Sequence, residues 1–394
     1  MTLAVRAIHS VVSLRATYGG PARSVPTLCD ALAARGIQTQ LLTIENETPQ
    51  HALVLPQDRR VRVTLVPGFT DGNGVVLWSR AYRAAVEQAM ETMTSAGAMP
   101  ILHDHGMWRA TNRAMAAVAR ARDVPLVSST RGMAMSWSLA HHGLRKRVAL
   151  ALHARRDLAT ARVLHATSSQ EATQLRQLGL QNPIAVIPNG IDLPARVAPP
   201  DPARGYRQLL FLGRLSPVKG LVPLIDAWSA ARLPGWRLVI AGPDEGGHRA
   251  IIDDAIRRAH VGSSVSLVGP VSDAEKWTRL AESDALVLPS LNESFGLVVA
   301  EALAAARPVM ATDGTPWESV VAADCGWHVR APEGLVSALR DLASASDDRR
   351  AAMGARGRAM AEARFAWPQV AAQVHALYTW ALGGGSRPDA VLTT

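Results

Sequence analysis

Glu293 and Glu301, eight residues apart, lie in "LPSLNESFGLVVAEALAAARPVMATD", residues 288–313, with Gly296 between them and an Ala-rich helical run behind. Glu293 falls in a loop after a predicted strand, and Glu301 falls more than one turn into the helix that Gly296 begins. A loop carboxylate at a strand end suits paired sugar hydroxyls, and the amides of Gly296 and Leu297 at the helix start suit a phosphate. Glu301 can extend sideways to a ribose diol. One ligand carrying sugar, diphosphate and ribose would then span a single helix end. The competing reading is the ordinary one for a helical glutamate, a cap or a salt bridge.

A second stretch supplies positive charge. In "FLGRLSPVKG", residues 211–220, a predicted strand ends at Gly213, Arg214 follows, and Lys219 comes at the start of a helix. Arginine offers a planar fork and lysine a point charge, a combination suited to a diphosphate, although two solvated surface bases would look the same. No two aspartates occur at D-x-D spacing. A nucleotide-sugar enzyme without that metal motif must neutralise its leaving diphosphate with protein cations, so no metal and no cofactor are expected. The Gly19-Gly20 turn in "YGGPARSV" (18–25) reads as a weak phosphate-type loop or a plain strand-to-helix turn. In "LHDHGMW" (102–108), His103 and His105 are read as pointing to opposite faces of a strand, which disfavours joint metal ligation. One of the two could donate to a sugar hydroxyl or to developing charge; otherwise each is a structural histidine.

These residues need strands to carry them, and the chain supplies a regular rhythm. Apolar runs at 3–12, 39–44, 61–66, 99–106, 124–130, 162–168 and 184–188 read as strands, with helices such as 21–36 and 111–123 between them. The rhythm breaks at the proline-rich stretch 187–207 and restarts at 208–214, 236–242, 264–269, 285–289 and 308–312. Alternation of this kind means parallel sheets with helices on both faces. The expected fold class is therefore α/β, with two Rossmann-like, doubly wound domains facing across a cleft. Their ligands should bind outside the carboxyl ends of the strands. Boundaries are placed at 1–192 for the first domain, 193–207 for a linker and 208–366 for the second, followed by helix 367–382 and a disordered tail, 383–394.

The bulk composition narrows the field. A length of 394 residues suits two domains. No apolar run reaches the roughly 18 residues of a spanning helix, and the N-terminus lacks the pattern of a secretory signal. Two distant cysteines, Cys29 and Cys325, argue against a disulfide framework and fit a reducing cytoplasm. The net charge of +9 attracts polyanions: phosphorylated small molecules, anionic lipid or nucleic acid. An aromatic content of 5% and the lack of a recognised module make nucleic acid the weaker choice.

Taken together, "NESFGLVVAEALA", "GRLSPVKG", the "PNGID" hinge at 188–192, the Gly-Gly loop and the "HDH" strand end resemble the family-4 retaining glycosyltransferases of the GT-B fold. Further segments at 129–152, 165–180 and 314–329 look like bacterial members that build surface polysaccharide. The resemblance implies a nucleotide-diphosphate-sugar donor, a glycan or lipid-linked glycan acceptor, and a C-terminal helix crossing back to the first domain. Residue by residue, it implies that Arg214 and Lys219 stabilise the departing diphosphate and that Glu293 contacts the donor sugar. Ser294, Phe295, Gly296 and Leu297 would give backbone contacts, and Glu301 would bind the ribose. Gly19 and Gly20 would form the loop beneath the diphosphate, and His105 would be the active-site histidine. It also implies front-face transfer without an enzymic nucleophile. Segment 141–162 carries Arg145, Lys146, Arg147, Arg155, Arg156 and Arg162 against Asp157 alone. It reads as a solvated face or as a peripheral contact with anionic lipid on the inner face of the plasma membrane. The alternatives are another GT-B enzyme, an epimerase or phosphorylase, or a basic nucleic-acid-binding protein.

Overall fold

The computed structural model describes residues 5–45, 53–68, 80–94, 100–140, 146 and 148–393. Those residues form two compact units. One comprises the chain up to Gly190 together with everything from Trp367 onward; the other runs from Ile191 to Ala366.

The first unit holds β1 (Arg6–Val11), β2 (Gln38–Glu45), β3 (Arg62–Pro67), β4 (Ile101–His105), β5 (Leu126–Ser129), β6 (Val163–Ala166) and β7 (Ile184–Val186). The second holds β8 (Arg207–Leu212), β9 (Trp236–Ala241), β10 (Val265–Gly269), β11 (Ala285–Leu288), β12 (Val309–Thr312) and β13 (Gly326–Val329). A last strand, β14 (Val391–Leu392), rejoins the first sheet. β4, β5, β6 and β11 are buried at every position, as parallel strands covered on both faces must be.

The sheet orders are β14-β7-β6-β5-β4-β1-β2-β3 and β10-β9-β8-β11-β12-β13. Each sheet therefore reverses direction once, between β1 and β4 in the first unit and between β8 and β11 in the second. Doubly wound sheets open a ligand crevice at such a reversal, outside the carboxyl ends of the strands. Among the described residues, the named strands all pair in parallel except β14 with β7, and one isolated bridge, Arg15 with Leu53, is antiparallel.

Helix Trp367–Ala381 packs on the first sheet. Its buried residues Val370, Val374, Leu377, Tyr378 and Ala381 form a stripe at helical spacing against Ala7, Ile101, Val127 and Val163. The break before it falls at Phe365 and Ala366, and Pro368 sits in the helix's first turn, where a missing amide costs nothing.

Two expectations change, and one strand goes beyond them. The tail 383–394, read as disordered, carries β14 instead: Val391 is buried, and the amide of Val186 donates to Ala390 O at 2.8 Å. An edge strand with open donors and acceptors is a ready template, and the tail supplies the pairing. The segment read as a proline-rich linker, 193–207, belongs to the second unit. Arg307 Nη2 donates to Ala198 O and Arg358 Nη2 to Pro194 O, so its carbonyls are held by that unit's own side chains. β13, a short half-buried edge strand, had no apolar run to announce it.

Deleting residues 388–394 should therefore lower the melting temperature of the first unit by several degrees, the scale expected for losing about 1–2 kcal/mol. An unchanged melting curve would show that β14 contributes nothing.

Candidate active site

In the second unit, three loops meet beyond the strand ends. The loop after β8 carries Arg214 and Lys219, the loop after β9 carries Glu245, and the loop after β11 carries Glu293. Backbone bonds tie them together: Leu215 N donates to Pro243 O at 2.8 Å, Glu245 N to Leu215 O at 3.1 Å, and Leu291 N to Val218 O at 2.8 Å. The approach is close enough to require glycine. A Cβ on Gly220 (φ +65°) would stand 2.1 Å from Pro289 O.

Lys219 Nζ and Glu293 form an ion pair across the reversal, with side chains only 13% and 18% exposed. Arg214 pairs with Glu245, but both are open to solvent, at 56% and 46%. An exposed pair contributes less than about 1 kcal/mol, so an incoming anion can take Arg214 from Glu245 at little cost. Glu301 pairs with Lys276 Nζ at 2.5 Å, from the helix that follows β10. The salt-bridge reading of Glu301 therefore holds in this structure.

Gly296 adopts φ +78° and precedes helix Leu297–Ala304, which no side chain caps. Its first-turn amides supply the positive end suited to an anion. Phe295 directs its ring into the core against Trp317 and Phe365, and its carbonyl accepts from Trp317 Nε1. Ser294 lies in the same loop. Arg214, Lys219, Glu293 and the Ser294–Leu297 turn are thus gathered at one edge of the sheet, with Glu301 one helical turn beyond. The buried hydroxyls of Ser216 and Ser290, which sequence reasoning missed, sit in the same two loops without a protein partner.

The first unit places Gly19 (φ +96°) in the loop after β1 and Gly20 at the start of helix Gly20–Ala34. His105 behaves differently from its expectation. Side chains on a strand repeat every two residues, so His103 and His105 share a face, and their ring centroids are 4.0 Å apart. Strand register sets His9 opposite His103, and His165 joins them from β6. All four histidines are buried beneath Tyr378 of the C-terminal helix.

Their nitrogens form one continuous wire. Arg131 donates to His105 Nδ1 from Nη2 at 2.8 Å and from Nε at 3.2 Å. An accepting Nδ1 leaves the proton of neutral His105 on Nε2, which donates to His9 Nδ1 at 3.0 Å. His9 Nε2 then donates to Tyr378 Oη at 3.3 Å, and that hydroxyl donates to His103 Nδ1 at 2.6 Å. His103 Nε2 donates to His165 Nδ1 at 3.3 Å, and His165 Nε2 to the carbonyl of Ile187 at 2.9 Å. Arginine only donates and a carbonyl only accepts, so both ends dictate the same direction.

Ligand atoms of His9, His103 and His105 come within 4.8 Å of one another, a spacing open to a metal ion. In this arrangement every imidazole lone pair already accepts a hydrogen bond, and a guanidinium stands beside the cluster. His105 is 1% exposed with both nitrogens engaged, so it has no N–H to offer a sugar.

Burial holds His9 and His165 down at about 3, with the Arg131 charge acting in the same direction. Burial also holds His103 and His105 well below the ordinary histidine value. Asp104, on the opposite face of β4, is pushed up to about 7 by burial, although Asn112 Nδ2 donates to it at 2.9 Å.

Residues 19–190 match the glycosyl transferase 4-like domain and residues 198–360 match glycosyl transferases group 1. Fold and site together define a glycosyltransferase of the GT-B fold. The chain is 31% identical to a glycogen synthase of Mycobacterium tuberculosis over 94% of its own length and 93% of that protein's. It is 30% identical to a D-inositol 3-phosphate glycosyltransferase of Xylanimonas cellulosilytica, covering 92% of each. Among solved structures, sucrose-phosphate synthase from Thermosynechococcus elongatus superposes with a TM-score of 0.73 at 21% identity, over 96% of this chain and 99% of that one. HepE of Anabaena, solved with UDP and glucose, gives 0.70 at 19%, over 94% and 98%. Through its two sequence relatives and the matched domains, this chain belongs to this family of glycosyltransferases.

The buried titratable groups set a pH dependence. A histidine whose folded value lies below 6.5 is protonated first in the unfolded chain, so its contribution is full above about pH 6.5 and is lost as pH falls toward 3. Asp104 has the opposite sign: its folded value lies above 3.8, so its penalty grows as pH rises toward 7. Four histidines outweigh one aspartate, and calorimetry should show the first unit melting several degrees lower at pH 5 than at pH 7.5. Asp104→Asn should add on the order of 2–4 kcal/mol at pH 8 and almost nothing near pH 4. A flat pH profile would contradict the neutral assignment of the wire.

Proposed function

We propose that this enzyme is a retaining glycosyltransferase that moves a sugar from a nucleoside-diphosphate sugar to a glycan or lipid-linked glycan acceptor. The observation that carries the reading is the Lys219–Glu293 pair beside Arg214 at the strand-end reversal of the second unit. Two cations and an uncapped helix start suit a diphosphate leaving group, and a carboxylate at the same edge suits the hydroxyls of the transferred sugar. The UDP and glucose named for the HepE complex fit that chemistry.

In this reading Arg214 and Lys219 stabilise charge as the sugar–phosphate bond breaks. The acceptor hydroxyl enters from the same face, and an oxygen of the departing diphosphate takes its proton. No enzymic nucleophile is used. Glu293, already paired with Lys219, orients the sugar instead of attacking it. Neither metal nor cofactor takes part.

The setting we propose is cell-surface polysaccharide synthesis at the cytoplasmic face of the plasma membrane. No helix among the described residues is long and apolar enough to cross a membrane. A peripheral contact has support in the basic segment, of which residues 141–145 and 147 lie outside the described residues. Val148 and Leu152, one turn apart, are 49% and 75% exposed, and Arg155 and Arg156 are exposed beside them. Apolar and basic side chains exposed together suit an anionic interface.

Arg214→Ala, Lys219→Ala and Glu293→Gln should each raise the barrier to transfer by about 2 kcal/mol or more, roughly thirtyfold in rate. The check is turnover of purified, folded variants, with activity persisting in EDTA. Near-normal turnover in all three, or abolition by chelation with rescue by one divalent ion, would contradict the assignment. Separately, sedimentation with phosphatidylglycerol vesicles should retain the protein, phosphatidylcholine vesicles should not, and Leu152→Glu should weaken the retention. Equal behaviour with both lipids would remove the membrane contact.

A further inference from the structure

The histidine wire begins at a cation that the known motifs leave unassigned. Arg131 follows β5 with φ +51°, a left-handed backbone that costs an L-residue roughly 1 kcal/mol or more. The turn is held in place from below. The buried carboxylate of Glu171 accepts from Thr130 Oγ1 at 2.6 Å, Gly132 N at 2.6 Å, and Thr167 N and Oγ1 at 2.8 Å each. Two of these donors come from the residues on either side of Arg131, and the two from Thr167 hold the carboxylate that clamps them.

The guanidinium is also fixed. Nε and Nη2 point at His105, and Nη1 donates to Asn189 Oδ1. Both partners are uncharged, and among the described residues no carboxylate lies within ion-pair distance of Arg131. The side chain is half-buried at the carboxyl end of β5, so its charge is partly stripped of water, and Glu171, the nearest carboxylate, acts on it through space without pairing with it. Such a charge is costly to keep unless something negative arrives. Neutral histidines orient it without discharging it, and burial keeps each of them neutral.

The surroundings add an independent sign. Gly106 (φ +115°) and Trp108 (φ +79°) after β4, and Gly19 (φ +96°) after β1, also adopt left-handed backbones at this edge. Trp108 is strained there as the two glycines are not, and strained residues collect where a ligand is gripped. The edge lies beside the reversal between β1 and β4, where a doubly wound sheet takes its ligand.

We propose that Arg131 is a phosphoryl-binding residue of the first unit, held for an incoming anion by the histidine–tyrosine wire, with His105 supporting it from behind. The proposal rests on the glycosyltransferase reading. The phosphoryl group belongs either to the donor's diphosphate or to a phosphorylated acceptor, and the chemistry of recognition is the same for both. Arg131 is then the residue that touches substrate. His105, His9, Tyr378, His103 and His165 are positioning residues.

The test is calorimetric titration of the full chain, first with UDP and then with inorganic phosphate at saturating UDP. Wild type, Arg131→Gln, Arg131→Lys and Arg214→Ala are compared. Arg131→Gln should lose about tenfold or more in affinity, the scale of one charge-assisted hydrogen bond, with partial recovery in Arg131→Lys. A loss confined to UDP assigns the donor diphosphate; a loss confined to phosphate assigns the acceptor. If Arg131→Gln binds both probes like wild type while Arg214→Ala loses UDP, the proposal is overturned and the glycosyltransferase reading stands. Wild type binding neither probe overturns both. Should Arg131→Gln fail to fold, phenylglyoxal modification of the wild-type chain, mapped by mass spectrometry, decides: UDP or phosphate must slow modification at Arg131, and no protection refutes the role.

Discussion

Lys219 and Glu293 face each other across the point where the second sheet reverses direction, and the rest of that unit's edge is arranged around them. A pair this sheltered is stable only while both partners remain; removing one leaves a charge with little water to solvate it. The pair therefore fixes two loops from strands that are neighbours in space but far apart in sequence, β8 and β11. Arg214 stands outside the pair, solvated and held by a weak exposed contact. One cation is thus built into the frame and the other is released readily. In the proposed reading a diphosphate uses both, one to define its place and one to close over it.

The first unit solves a different problem with the same topology. A cation at the strand ends is aimed while the nearest carboxylate, Glu171, stays engaged with the amides and hydroxyls around it. Neutral imidazoles do the aiming. They can do so only if each ring is locked in one tautomer, which the terminal guanidinium and the terminal carbonyl enforce from opposite ends. Tyr378 is the link that makes the wire continuous, and it comes from the last long helix of the chain. The docking of that helix and the state of the histidines are therefore one structural event.

Much of this could be read from the residues alone. The β rhythm located the strands to within a few residues, because parallel strands buried on both faces are uninterrupted apolar runs. The loops bearing Arg214, Lys219, Glu293 and Gly296 announced themselves because glycine and charge directly follow those runs. The wire did not, because its partners are dispersed: His9 and Tyr378 are 369 residues apart. His103 and His105 were legible and were misread, since a separation of two places side chains on one face. The left-handed turn at Arg131 had no signal, for arginine carries no preference for it. β14 was hidden by glycine, serine and proline before it, which suggest a free tail until an open edge recruits the residues that follow.

The most direct test of the central claim is a structure of this chain with a nucleoside diphosphate bound. It should show the diphosphate at the reversal between β8 and β11, within hydrogen-bond distance of Lys219 Nζ, with Arg214 turned away from Glu245 onto a phosphate oxygen. Nucleotide bound elsewhere, with the Lys219–Glu293 and Arg214–Glu245 pairs undisturbed and no contact to the Gly296 turn, would contradict it.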